Sequence, residues 1–117
     1  MKTTKEIGNQ LEHAVALMLQ IAFNDSKIRP TKASGASTEL GDIINPYLMV
    51  ECKKRNTKNV TINTGVWNHL IAQLPINSAR VPLLVLENQE GQQWAVLNIN
   101  DLCRLLARCY NATGEIQ

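Results

Sequence analysis

Apolar residues recur at spacings of three and four near the start of the chain. Ile7, Leu11, Val15, Met18 and Ala22 form one stripe, which predicts a helix over 5–23. Leu17, Leu19 and Ile21 widen the stripe and predict that the far half of this helix is almost wholly buried. Asn24-Asp25-Ser26 ends it. Residues 27–29 read as a short edge strand stopped by Pro30, and 31–38 as a loop rich in small residues. Residues 40–44 and 47–53 read as two strands joined by a tight turn at Asn45-Pro46. A polar, basic loop follows over 55–63. Residues 64–74 predict a helix with Val66, Trp67, Leu70, Ile71 and Leu74 on one face, stopped by Pro75. Residues 83–87 and 92–99 predict two strands joined by a hairpin over 88–91. Asn100-Asp101 suits the start of a last helix over 101–110. Its apolar side (Leu102, Leu105, Leu106, Cys109) fits either packing on the sheet or a dimer surface. Trp67 and Trp94 both take core positions. The order α-β-β-β-α-β-β-α predicts a single α/β domain over 1–117, with a mixed central sheet and helices on both faces.

Composition narrows the function classes. The 117 residues suit one domain, and 44% hydrophobic content suffices for a core. Only five aromatics are present, which argues against a recognition surface built on base stacking. No apolar run has the length of a membrane span, and the first residues carry no signal-peptide pattern. Cys52, Cys103 and Cys109 form no CxxC pair, which fits a reducing, cytoplasmic setting and neither a disulfide framework nor a structural zinc site. The net charge of +2 conceals a local excess. Residues 27–58 hold seven basic groups (Lys27, Arg29, Lys32, Lys53, Lys54, Arg55, Lys58) against Glu39, Asp42 and Glu51. A polyanion partner or a solvated basic surface would each account for it.

The chemistry concentrates in 39–53. Strand alternation puts Glu51 and Lys53 on one face and sends Leu48, Val50 and Cys52 to the other, into a core. A hairpin turning at Asn45-Pro46 brings Asp42 opposite residues 49–51. Asp42 and Glu51 then fall within reach of one divalent cation, Mg²⁺ or Mn²⁺, with the Cys52 backbone carbonyl as a further oxygen donor. Such an ion would activate water against a phosphodiester, and Lys53 would position that water or stabilise charge on the phosphate. A plain strand-end ion pair between Glu51 and Lys53 uses the same residues. His13 and His69 lack any metal-ligand spacing and read as structural or surface residues.

Three segments resemble the PD-(D/E)XK nuclease superfamily, and within it the archaeal-type Holliday junction resolvases. Gly8-Asn9-Gln10-Leu11-Glu12 is similar to the Gly-x-x-x-Glu of the first helix in that family. Ala33-Ser34-Gly35-Ala36 resembles its Ser-Gly loop. Gly41-Asp42-Ile43 followed by Glu51-Cys52-Lys53 resembles its metal and catalytic motif. Gly41 stands where the superfamily often has the proline of its name, Asn9 where a basic residue is frequent, and His13 where Arg is frequent. The resemblance spans about residues 7–87 in order and spacing, and it implies a restriction-endonuclease-like fold.

The activity implied is a Mg²⁺-dependent DNA endonuclease, with Mn²⁺ as a substitute, resolving branched or four-way junctions. Asp42 and Glu51 would hold the metal, Glu12 would complete the site, and Lys53 would act on the water or phosphate. Arg29, Lys32, Ser34, Lys54, Arg55 and Lys58 would contact backbone phosphates, which position DNA without reading its sequence. Symmetric junction cutting implies a homodimer. Gln73 is a further candidate near the lysine. Other small nucleases of the superfamily, acting on nicks, flaps or single strands, and a non-catalytic nucleic-acid-binding module share these features.

Overall fold

The computed structural model describes residues 4–31 and 41–113. The predicted order of elements holds: α1 (Thr4–Phe23), β1 (Arg29–Pro30), β2 (Ile43–Ile44), β3 (Leu48–Lys54), α2 (Thr64–Gln73), β4 (Val81–Glu87), β5 (Gln93–Val96) and α3 (Ile99–Thr113). The sheet runs β1-β2-β3-β4-β5. Only β3 and β4 are parallel, in register from Leu48↔Val81 to Lys54↔Glu87, and α2 forms their crossover. The other neighbours are antiparallel. No described helix is long and apolar enough to cross a membrane.

The central strand separates two apolar layers. Leu48 and Val50, with partly buried Cys52, join Leu11, Val15, Ala16, Ile28 and Ile43 under α1. Met49 joins Leu70, Leu84 and Leu86 under α2, with Trp67 packed against them. Glu51 and Lys53 continue the Met49 face beyond that layer.

Asparagines end and join several elements. Asn24 adopts a left-handed φ of 51° after α1, and the Asp25 N–H reaches back to the Gln20 carbonyl at 3.0 Å. Asn45 is buried in the β2–β3 turn. Its Oδ1 accepts from the Tyr47 and Leu48 amides at 2.9 and 2.6 Å, and its Nδ2 donates to the Ile43 and Leu48 carbonyls. Asn63 caps α2 by accepting from Gly65 and Val66. Phe23 stacks on Tyr47 at 4.1 Å, which ties the end of α1 to the β2–β3 turn.

The structure corrects several expectations. The first strand is Arg29–Pro30, because Pro30 can occupy an edge and pair with Ile43 there. The far half of α1 is not buried. Ile21 is 74% exposed and Leu17 57%, because only the Leu11–Val15–Ala16–Leu19 line faces the sheet. Trp94 is not a core residue. It is 44% exposed, because β5 is a four-residue edge strand with no further strand beside it. That strand is Gln93–Val96, shorter than the 92–99 that the sequence pattern predicts. The cap of α3 is Asn98, whose Oδ1 accepts from the Asn100 amide, so the helix starts two residues early. Ile99, Leu106 and Tyr110 of α3 remain substantially exposed, and so do Cys103 and Cys109.

Asn88 has no exposed surface and holds the β4–β5 hairpin to the basic loop. Its Nδ2 donates to the Lys58 carbonyl and to Gln92 Oε1 at 2.8 and 2.9 Å, and its Oδ1 accepts from the Glu90 and Gln92 amides. Removing that side chain leaves four part-buried hydrogen bonds unmade. Asn88→Ala is expected to lower unfolding stability by about 2–3 kcal/mol. Urea unfolding followed by circular dichroism measures it, and a loss below about 0.5 kcal/mol would refute the clamp.

Candidate active site

The candidate residues meet where β2 leaves the sheet. Ile43 pairs with Val50, and the chain before it turns away from β3 at Gly41. Gly41 has φ +75°, and a Cβ there would sit 3.0 Å from both Met49 Sδ and the Val50 carbonyl. Proline, fixed near −65°, cannot take this backbone, and the positive φ with the close Val50 carbonyl makes glycine a steric requirement at 41.

Asp42 then takes over the work of the missing strand. Its N–H donates to the Val50 carbonyl at 2.7 Å, and its carboxylate Oδ2 accepts from the Cys52 N–H at 2.6 Å. The bond to the Val50 carbonyl puts Asp42 within the predicted 49–51 window, and its carboxylate reaches on past Glu51 to the Cys52 amide. The Cys52 carbonyl lies on the same side of the strand as its N–H, toward Asp42. Burial pushes the Cys52 thiol far up, and the charges of Asp42, Glu12 and Glu51 add to that. The thiol is therefore inert at neutral pH.

Glu12 approaches from α1, half-buried beside Leu11 and Val15. Its carboxyl is raised to about 7, first by desolvation and then by the nearby charges of Asp42 and Glu51, against the opposing pull of Lys53. Asp42 is likewise raised to about 6, mainly by burial. The Cys52 N–H lowers it, Glu51 raises it and Lys53 lowers it. Glu51 itself pairs with Lys53 Nζ at 3.2 Å, and its side chain is the more buried of the two. The fold thus sets three carboxyl groups against one ammonium. Among the described residues no three His, Cys, Asp or Glu side chains converge into a ready metal shell. The donors still suit a hard dication. They are carboxylate and carbonyl oxygens, and the cluster is short of positive charge.

The proposed DNA contacts divide. Lys32 and Ser34 lie outside the described residues. Arg29 is on the edge strand β1, two residues before Thr31, whose N–H donates to the Asp42 carbonyl. Arg55 and Lys58 are on the loop after β3. Lys54 does not belong with them. Its ammonium donates to the Asn88 carbonyl at 2.7 Å and pairs with Glu87 at 3.2 Å, so it serves the hairpin. Strand alternation could have warned of this, since Lys54 faces away from Lys53. Asn88 and Asn45 were missed, because a buried asparagine looks like any turn asparagine in sequence. His13 and His69 are exposed, as expected of surface residues. Gln73 is half-buried at the end of α2.

No family model, curated protein sequence or solved structure gives a significant match to this chain.

Raised carboxyl groups make the metal-free protein pH-sensitive. Between about pH 4 and 7 the folded state keeps protons on Asp42 and Glu12 that the unfolded chain has released. Stability must therefore fall as pH rises through that window and level off above it. In EDTA the thermal midpoint is expected to drop between pH 5 and pH 8, and Glu12→Gln to flatten that drop. A wild-type midpoint that climbs over this interval would contradict the arrangement.

Proposed function

We propose that this chain is a metal-dependent DNA endonuclease of the PD-(D/E)XK type, cutting branched DNA such as four-way junctions. The observation that carries the reading is the cluster at the end of β3. There Asp42 is locked to the Cys52 amide, Glu51 lies beside it with Lys53 at 3.2 Å, and Glu12 closes in from α1. A bare strand-end ion pair would need neither the half-buried Asp42 nor the half-buried Glu12, both raised well above ordinary carboxyl values.

The residues divide the work as follows. Asp42, Glu51 and the Cys52 carbonyl, with Glu12, would hold Mg²⁺ or Mn²⁺. The bound ion would lower the pKa of water and offset charge on the phosphate. Asp42 is held in place by its own amide bonds, so its free carboxylate oxygen needs no reordering. Lys53 is over a third exposed and presents its ammonium at the mouth of the site. It can hold a water or a phosphate oxygen once Glu51 turns to other partners. Arg29, Arg55 and Lys58 lie on segments flanking the cluster, where they would meet backbone phosphates and steer DNA without base recognition. Paired cuts across a junction need two copies, and the exposed apolar residues of α3 offer a surface for a homodimer.

The deciding experiment incubates the protein with a four-way junction, a flap, a nicked duplex and a linear duplex, each in Mg²⁺, Mn²⁺ or EDTA. Metal-dependent cutting strongest on the junction is expected. Binding that is equal in EDTA, with no cutting of any substrate, would identify a non-catalytic module instead. Cutting confined to flaps or nicks by a monomer would select a different small nuclease.

Two sets of variants test the roles. Glu51→Gln is expected to abolish cleavage while DNA affinity and fold persist, since affinity comes from the basic residues. Glu12→Ala is expected to cut Mg²⁺-supported turnover strongly, with partial rescue by Mn²⁺. Full activity of Glu51→Gln would remove the site assignment. Lys53→Ala should lose turnover at saturating DNA. Lys58→Ala should lose mainly affinity, its log–log salt slope falling by about one unit. Equal losses of turnover in the two would overturn this division.

A further inference from the structure

An open cleft of about 570 Å³ lies on the α2 face of the sheet, outside the cluster described above. Val60, Ile62, Leu86 and Val96 form its apolar part, Trp94 stands at one wall, and Lys58 sits at its rim. The cleft falls in the size range of small-molecule sites. Its relation to Lys53 follows from the strand registers. Lys53 pairs with Leu86, and Leu86 pairs with Trp94. The three side chains therefore stand in one row on one face. Strands lie about 4.8 Å apart, so the Trp94 backbone is roughly 10 Å from that of Lys53.

We propose that this cleft takes an unpaired nucleobase, stacked on the Trp94 indole, with its backbone phosphate met by Lys58. The inference rests on the nuclease reading only for the nature of the polymer. Three features favour this occupant. The indole is 44% exposed beside an apolar floor, which suits a flat ring with a π-face. The rim is cationic, which suits a polyanion. The loop that carries the cation is held still, because Asn88 Nδ2 binds the Lys58 carbonyl and the Gln89 amide binds the Thr57 carbonyl. A lone aromatic makes a slot for one base and no stacking platform, in keeping with a chain of five aromatics. Duplex DNA keeps its bases paired and cannot fill the slot. A single-stranded arm or an opened branch point can. The slot would thus favour substrates with an unpaired base close to the scissile bond.

The test uses binding in EDTA, so that no cleavage is needed. In a Trp67→Phe background, Trp94 is the sole tryptophan and its fluorescence reports on the slot. A single-stranded oligothymidylate is expected to quench it, and a blunt duplex to leave it unchanged. Trp94→Leu should weaken single-strand binding about tenfold more than duplex binding, while Trp94→Phe keeps most of it. Thermal melting checks that each variant folds. Because Leu keeps the apolar bulk, equal losses for Leu and Phe, or equal losses on both DNA forms, would overturn the slot. Quenching that rises with protein concentration alone, together with a dimer mass in light scattering, would assign Trp94 to contact with a second copy and overturn it too. An unresponsive Trp94 in a protein that still cuts junctions sinks the slot and spares the nuclease reading. Selective single-strand quenching in a protein that cuts nothing does the reverse.

Discussion

The hydrogen bond from the Cys52 amide to the Asp42 carboxylate is the constraint on which the site depends. A strand whose neighbour leaves the sheet exposes amides that must find another acceptor. At β3 the neighbour leaves after one paired residue, and a side chain takes the place of the missing backbone. That substitution draws a carboxylate into a half-buried position at a strand end, which burial alone disfavours. The same bond lowers the carboxyl pKa of Asp42, but desolvation outweighs it. The protein therefore keeps unfavourable charge at one place, and Gly41 provides the backbone turn that makes this feasible.

Around this point the rest of the fold acts as a positioning frame. Two apolar layers sandwich β3, so the strand cannot rotate and its end is fixed in space. The α1 layer places Glu12 on the side of Asp42. The α2 layer stops short of Glu51 and Lys53, which leaves that face of the strand end open. Beyond it, Lys54 and Asn88 join the end of β3 to the β4–β5 hairpin and through it to the basic loop. A charged pair and a buried amide here spend their bonding capacity on loop geometry. Their effect is that the loop carrying Lys58 and Arg55 is tied to the end of β3 and the β4–β5 hairpin.

Much of this was legible in the sequence. The three- and four-residue spacing in α1 and the alternation around Glu51 and Lys53 identified the helix, the strand and the face shared by the two charged groups. Periodicity reports which side of an element is apolar, and that suffices for a long helix or a central strand. It also carried the order of all eight elements. The Gly-Asp and Glu-x-Lys pair came close together because one short hairpin joins them, and a hairpin constrains register locally.

Tertiary structure decided the remainder, each time because exposure depends on what lies across the gap. The apolar residues of α1 at Leu17 and Ile21 have the composition of a core, yet they lie off the Leu11–Val15–Ala16–Leu19 line that meets the sheet. Trp94 alternates like a buried residue but sits on an edge strand of four residues. Lys54 belongs to a basic run in sequence; alternation gives its face, but only the parallel pairing with β4 gives it Glu87 as a partner. Asn45 and Asn88 look like ordinary turn residues until the fold closes around them. Local pattern determined which elements form and which way their faces point. Packing between elements distant in sequence determined which faces find a partner, and no local pattern carries that information.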